Sequence, residues 1–176
     1  MDSKASGQQL DDLALTGERL TEEVITGVVR RFLEEKVDGN WHADKVHQAK
    51  LHEHGPDLVM IGGKRNSEYF KIECKGKSYA KSAKAINHEG WLNALGQLIT
   101  RIDVERVDKS GHINRAYKYG LGLPKVGAEV ALVRIPYKIA RLLNLYIFSV
   151  DDNFDITMYT PKDFRKWQQG EYKHSK

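Results

Sequence analysis

The chain has 176 residues, 40% hydrophobic and 30% charged, which excludes a disordered segment and a peptide too small to bury a core. Lys and Arg number 28 against 24 Asp and Glu, and the resulting +4 permits a polyanionic partner without demanding one. A single cysteine excludes an intrachain disulfide, and no apolar run approaches the roughly 18–20 residues of a membrane span.

These bounds predict one domain over residues 1–176, with loose termini at about residues 1–12 and 170–176. The opening Met1-Asp2-Ser3-Lys4 has no apolar signal core, so the expected location is cytoplasmic, with no membrane partner. From Leu20 to Val37 the apolar residues Leu20, Val24, Ile25, Val28, Val29, Phe32 and Leu33 keep a 3.6-residue period, which predicts a helix ended by Asp38-Gly39-Asn40. A weaker strand is predicted over Lys45 to His52. Leu58 to Ile61 and Ser67 to Lys75 then read as two strands of a hairpin around Gly62 to Asn66.

A second helix is predicted from Ala85 to Val107, with Trp91, Leu92, Leu95, Leu98, Ile99 and Ile102 as its apolar face and Asp108 to Gly111 closing it. Tyr117 to Leu123 reads as a glycine-containing strand stopped by Pro124. Val126 to Leu143 is ambiguous: Glu129 to Val133 fits strand or helix, and Pro136 suits the first turn of a helix ending at Leu143. Leu145 to Val150 and Phe154 to Tyr159 form a second hairpin across Asp151-Asp152-Asn153. Thr160 is the expected N-cap of a short last helix. Strands interrupted by helices predict an α/β domain, a mixed central β-sheet flanked by helices on both faces.

The chemistry concentrates between residues 55 and 76. In a strand, alternate side chains share a face, so Glu73 and Lys75 point one way and Cys74 inward the other. Their Cα atoms would stand roughly 6.5 Å apart. Asp57, at the start of the preceding strand, brings a second carboxylate to the same end of the pair. Hard oxygens of this kind suit Mg²⁺, which takes one or two protein carboxylates and keeps its other positions for water and phosphate.

Pro56-Asp57, a sixteen-residue gap and Glu73-Cys74-Lys75, with helices fitting on both sides, resemble the PD-(D/E)XK nuclease superfamily. The similarity is compatible with the chain from Leu15 to Trp167. It implies a restriction-endonuclease-like fold and a Mg²⁺-dependent nuclease, most simply an endonuclease, that hydrolyses DNA phosphodiesters, with Mn²⁺ able to substitute. By the same resemblance Asp57, Glu73 and the carbonyl of Cys74 would hold the metal. Lys75 would orient or polarise the attacking water, or stabilise charge on the phosphate. The partner implied is DNA, and a homodimer is compatible with it.

The family also draws an acid from the first helix. At 100° per residue Glu22 lies on the flank of the apolar face beside Val29 and Leu33, while Glu23 faces away, and Glu18 is the alternative. A solvated first-turn glutamate, favoured by the helix dipole, explains either residue equally well. Asn93, Gln97 and Arg101 form an i, i+4, i+8 stripe that could follow phosphates, although the stripe lies nearly opposite Leu95, Leu98 and Ile102, as a plain solvated face does. Lys77 joins Lys75, Lys81, Lys84, Arg115, Lys118 and Lys125 in a basic set interleaved with Tyr79, Trp91, Tyr117 and Tyr119. Gln97, Arg101 and Lys77 are thus the expected DNA contacts.

His42, His47, His52 and His54, with Asp44 and Glu53 among them, do not have the spacing of a structural zinc site. Asp151-Asp152-Asn153-Phe154-Asp155 lacks the glycine and terminal glutamate of a calcium loop and reads as a turn. Two other readings stand beside the nuclease: a non-catalytic nucleic-acid-binding module on the same fold, and a scaffold whose motif is accidental.

Overall fold

A computed structural model describes residues 19–44, 56–63, 66–78, 83–102 and 116–171. The first helix, α1 (Glu22–Lys36), begins where Thr21 accepts a hydrogen bond from the Val24 N–H at 3.2 Å. It buries Ile25, Val28, Val29 and Leu33, the stripe that the 3.6-residue period predicts. After residues 37–41 comes a two-residue strand, β1 (His42–Ala43), where no strand was expected. The strand predicted over Lys45 to His52 lies outside the described residues.

The hairpin consists of β2 (Leu58–Gly62) and β3 (Glu68–Cys74), antiparallel, with Leu58 opposite Ile72 and Gly62 opposite Glu68. Next come α2 (Ala83–Thr100), β4 (Tyr117–Pro124), α3 (Lys125–Arg134) and α4 (Tyr137–Leu142). The second hairpin, β5 (Leu145–Val150) and β6 (Ile156–Tyr159), precedes α5 (Asp163–Gln168). Among the described residues the six strands form one sheet in sequence order. β3, β4 and β5 run parallel, while β1–β2, β2–β3 and β5–β6 are antiparallel. The domain is therefore α/β with a mixed open sheet. Among the described residues no helix is long and apolar enough to cross a membrane.

Period-two alternation divides the sheet into two apolar layers. On one face Met60, Phe70, Ile72, Cys74, Phe148 and Val150 pack against α1. On the other Tyr119, Leu121, Leu123, Leu145 and Ile147 pack against Ala94 and Leu98 of α2 and Ala128, Ala131 and Leu132 of α3. Where β4 passes under α1 it presents Gly122. A Cβ there would lie 2.6 Å from the Cys74 sulfur and 3.2 and 3.3 Å from methyls of Ile25 and Val29, so only glycine lets α1 come this close.

Two expectations need correction, and one open reading is resolved. The helix predicted to reach Val107 ends at Thr100. There the N–H groups of Arg101 and Ile102 bond three residues back, to Leu98 and Ile99, and this tighter turn closes α2. The ambiguous stretch after Pro124 is two helices, broken where Pro136 cannot donate. Gln168 bridges the break: its amide donates to the carbonyls of Leu132 and Ile135, and its oxygen accepts from the Tyr137 N–H. Finally, Thr160 does not cap the last helix. α5 starts at Asp163, whose carboxylate instead accepts from the Thr160 N–H and hydroxyl, both at 2.8 Å.

Candidate active site at the end of the first hairpin

Extending the β2–β3 register by one residue, from Leu58 opposite Ile72, sets Asp57 opposite Glu73. Side chains so opposed share a face, with Cβ atoms about 4.5–5.5 Å apart. Asp57 Oδ2 accepts the Cys74 N–H at 2.7 Å. One residue further, Cys74 would face Pro56, which has no N–H to return the ladder bond. The N–H and C=O of a strand residue point to the same neighbour, so the Cys74 carbonyl is directed beside Asp57 without that partner. The hairpin therefore ends in a set of oxygens because proline stops the ladder there.

Glu73 is 0% exposed, and Arg101 Nη1 is in ion-pair contact with its Oε1. Among the described residues Glu73 Oε2 has no hydrogen-bond partner. Lys75, one step past the strand, projects its Cβ toward Gly90 of α2, where a Cβ would stand 3.8 Å away. Its Nζ donates to Glu22 Oε2 at 2.9 Å, while Glu23 faces solvent. Gly76 makes this meeting possible. A Cβ at residue 76 would lie 2.6 Å from the Glu22 nitrogen and 2.8 Å from the Thr21 carbonyl carbon, and the Lys77 N–H bonds the Leu20 carbonyl at 2.7 Å. The strand exit thus runs directly beneath the start of α1.

Magnitudes settle cause and consequence here. The Lys75–Glu22 pair, with Glu22 about half exposed at 47%, is worth on the order of 0–1 kcal/mol. Each fully buried side chain under α1, such as Ile25 or Leu33, contributes about 1.5–3 kcal/mol. Packing seats the helix, and the ion pair follows from it.

Cys74 reports the charges around it. Burial pushes its thiol up to about 12; Thr26 and Lys75 oppose that shift, whereas Asp57 and Glu22 add to it. Asp57, Glu22 and Lys75 are thus near enough to one buried sulfur to act on it together.

The other expected residues are disposed differently. Gln97 is exposed on α2, and Lys77 Nζ donates to both Asp152 oxygens at 2.6 and 2.9 Å. Lys118 pairs with Glu68 and lies 4.8 Å from the Trp41 ring centroid, so it belongs to the α1-side core and not to a loop surface. Asp151 accepts from the Asn153 and Asp155 N–H groups, as a turn does. His42 is described, exposed on β1 with Nδ1 3.2 Å from the Asn40 carbonyl. Glu18, His47, His52, His54, Tyr79, Lys81 and Arg115 lie outside the described residues.

Arg101 was an expected DNA contact, but its ion pair with Glu73 is what sequence reasoning missed. Its place on the solvent stripe assumed a helix through Val107, but the helix ends one residue before it, so the wheel does not apply to Arg101.

Among the described residues no group of three or more His, Cys, Asp or Glu side chains is gathered to hold a metal ion. What is assembled is two carboxylates and a backbone carbonyl. That all-oxygen set fits Mg²⁺, which needs few protein ligands, and Glu73 Oε2, without a hydrogen-bond partner among the described residues, has lone pairs to give.

The chain matches no family model, no curated protein and no solved structure.

Proposed function

We propose that this protein is a Mg²⁺-dependent nuclease of restriction-endonuclease-like fold that cuts DNA phosphodiesters internally. One observation carries the reading: Asp57, opposite Glu73, shares the end of β3 with Lys75, whose amine meets Glu22 from the first helix. Two acids, an oriented ammonium and an acid behind it are the parts that phosphodiester hydrolysis uses.

In this reading Asp57, Glu73 and the Cys74 carbonyl hold Mg²⁺ or Mn²⁺, which would lower the pKa of a bound water and neutralise phosphate oxygens. Lys75 orients the attacking water or stabilises the phosphate, and Glu22 keeps the amine at 2.9 Å instead of letting it sample solvent. Asp57 has a second task, since its bond to the Cys74 N–H fixes both strand end and carboxylate.

A second reading, a non-catalytic nucleic-acid-binding module, draws on the contact of Arg101 with Glu73, which already neutralises one of the acids. The test is cleavage of supercoiled plasmid and branched DNA with Mg²⁺ or Mn²⁺. Asp57→Ala and Lys75→Ala are each expected to lower the rate by on the order of 10²-fold or more. Cleavage that survives both substitutions would sink the nuclease. DNA binding indifferent to metal, with no nicking, would establish the second reading.

A further inference from the structure

A buried carboxylate must be paired, because an isolated charge in a low-dielectric interior is costly. Glu73 meets that demand in an unusual way. An arginine normally satisfies a buried acid through its planar fork, with two parallel hydrogen bonds. Here Arg101 Nη1 meets Glu73 Oε1, and among the described residues Glu73 Oε2 has no hydrogen-bond partner. The two ends of the pair are also unequally enclosed: the Glu73 side chain is 1% exposed and that of Arg101 19%. The backbone of Arg101 is fixed, with its N–H on the Leu98 carbonyl and its own carbonyl accepting from Lys71 Nζ at 3.4 Å. Only the side chain has somewhere to go.

We propose that Arg101 stands in for the metal: its guanidinium compensates Glu73 when no divalent cation is bound, and the two compete for that carboxylate. This rests on the metal site proposed above. Two cations cannot share one acid at a few ångströms without strong repulsion in a poorly solvated site, so loading the site turns Arg101 toward its open side. Once turned out, the same guanidinium offers a bidentate donor to a phosphate beside the strand end. Arg101 is therefore a positioning residue in the free protein and a DNA contact in the loaded one. It would keep the strand end intact without metal and withhold a free carboxylate until metal arrives.

The test is Mn²⁺ binding by calorimetry on the full chain without DNA. Arg101→Gln is expected to bind Mn²⁺ at least tenfold more tightly than the wild type, with Arg101→Lys between them. The double variant Asp57→Asn/Arg101→Gln is expected to lose that gain. On the wild type, the Arg101 Nε–H resonance should move saturably as Mg²⁺ is added, which keeps the idea testable should a variant fail to fold. Equal Mn²⁺ affinity in wild type and Arg101→Gln, or an unmoved Nε–H signal at saturating metal, overturns the competition and leaves the metal site standing. No Mn²⁺ binding by any of these proteins removes the competition and the metal site together.

Discussion

Without metal, Glu73 and Arg101 should respond very differently to substitution, because one can reach water and the other cannot. Arg101→Met keeps the stem and removes the charge, leaving a carboxylate that is 0% exposed with no cation against it. Stranding a buried charge costs about 3–5 kcal/mol. Glu73→Gln removes the opposite charge at constant volume, and the guanidinium, at 19% exposure, can turn out to solvent. Its cost should be nearer 1–2 kcal/mol, the scale of a perturbed buried polar group. For a chain of this length each kcal/mol moves Tm by about 2–4 °C, which predicts losses of roughly 6–20 °C for Arg101→Met and 2–8 °C for Glu73→Gln. Urea melts in chelator at neutral pH, followed by tryptophan fluorescence, give the ordering. In the double variant the two effects should be far from additive, since removing the acid's charge relieves the loss of the arginine. If Glu73→Gln costs as much as Arg101→Met, or the two costs simply add, the asymmetry argued from exposure is wrong.

The Cys74 thiol, pushed up to about 12 by burial from its ordinary 9.0, should resist alkylation at pH 8 until the protein unfolds. The linkage has a definite sign. Below pH 9 the thiol is neutral in both states, and above it the unfolded chain ionises first, so stability falls between pH 9 and 12; Cys74→Ala should flatten that alkaline loss in pH-dependent melts. Gly76→Ala should separate α1 from the strand exit, because the added methyl meets backbone atoms at 2.6–3.0 Å that no side-chain rotation can move. A destabilisation of about 1–3 kcal/mol is expected, with a larger proportional fall in Mg²⁺-dependent cleavage than in folded fraction; unchanged stability would show that the backbones can part freely.

What the sequence disclosed, and what it withheld, follows the range of the forces involved. The α1 stripe and both hairpins are written in local periodicity, and burial of Ile25, Val29, Phe70 and Phe148 matches it. Helical geometry alone sets Glu22 on the flank of the apolar face and Glu23 away from it, and Glu22 is the one that meets Lys75. The contact of Arg101 with Glu73 was illegible for a tertiary reason. Whether a helix stops at residue 100 or 107 depends on where its last carbonyls and side chains find partners, and those partners, Lys71 and Glu73, lie on another strand. Likewise Lys77 reads as a free basic residue until the β5–β6 turn brings Asp152 to it. Thr160 has the chemistry of a cap, but an aspartate three residues on accepts from it first.

The bare stretch of β4 at residue 122 bears on how firmly α1 is seated. Long side chains between a helix and a sheet act as a cushion, absorbing small displacements by changing rotamer. At Gly122 there is no cushion, and the methyls of Ile25 and Val29 rest on the main chain itself. Any shift of α1 must then be borne by the helix as a rigid rod, and the rod carries Glu22 at its tip. A strand position with no functional group of its own thereby sets the reach of a carboxylate on another element.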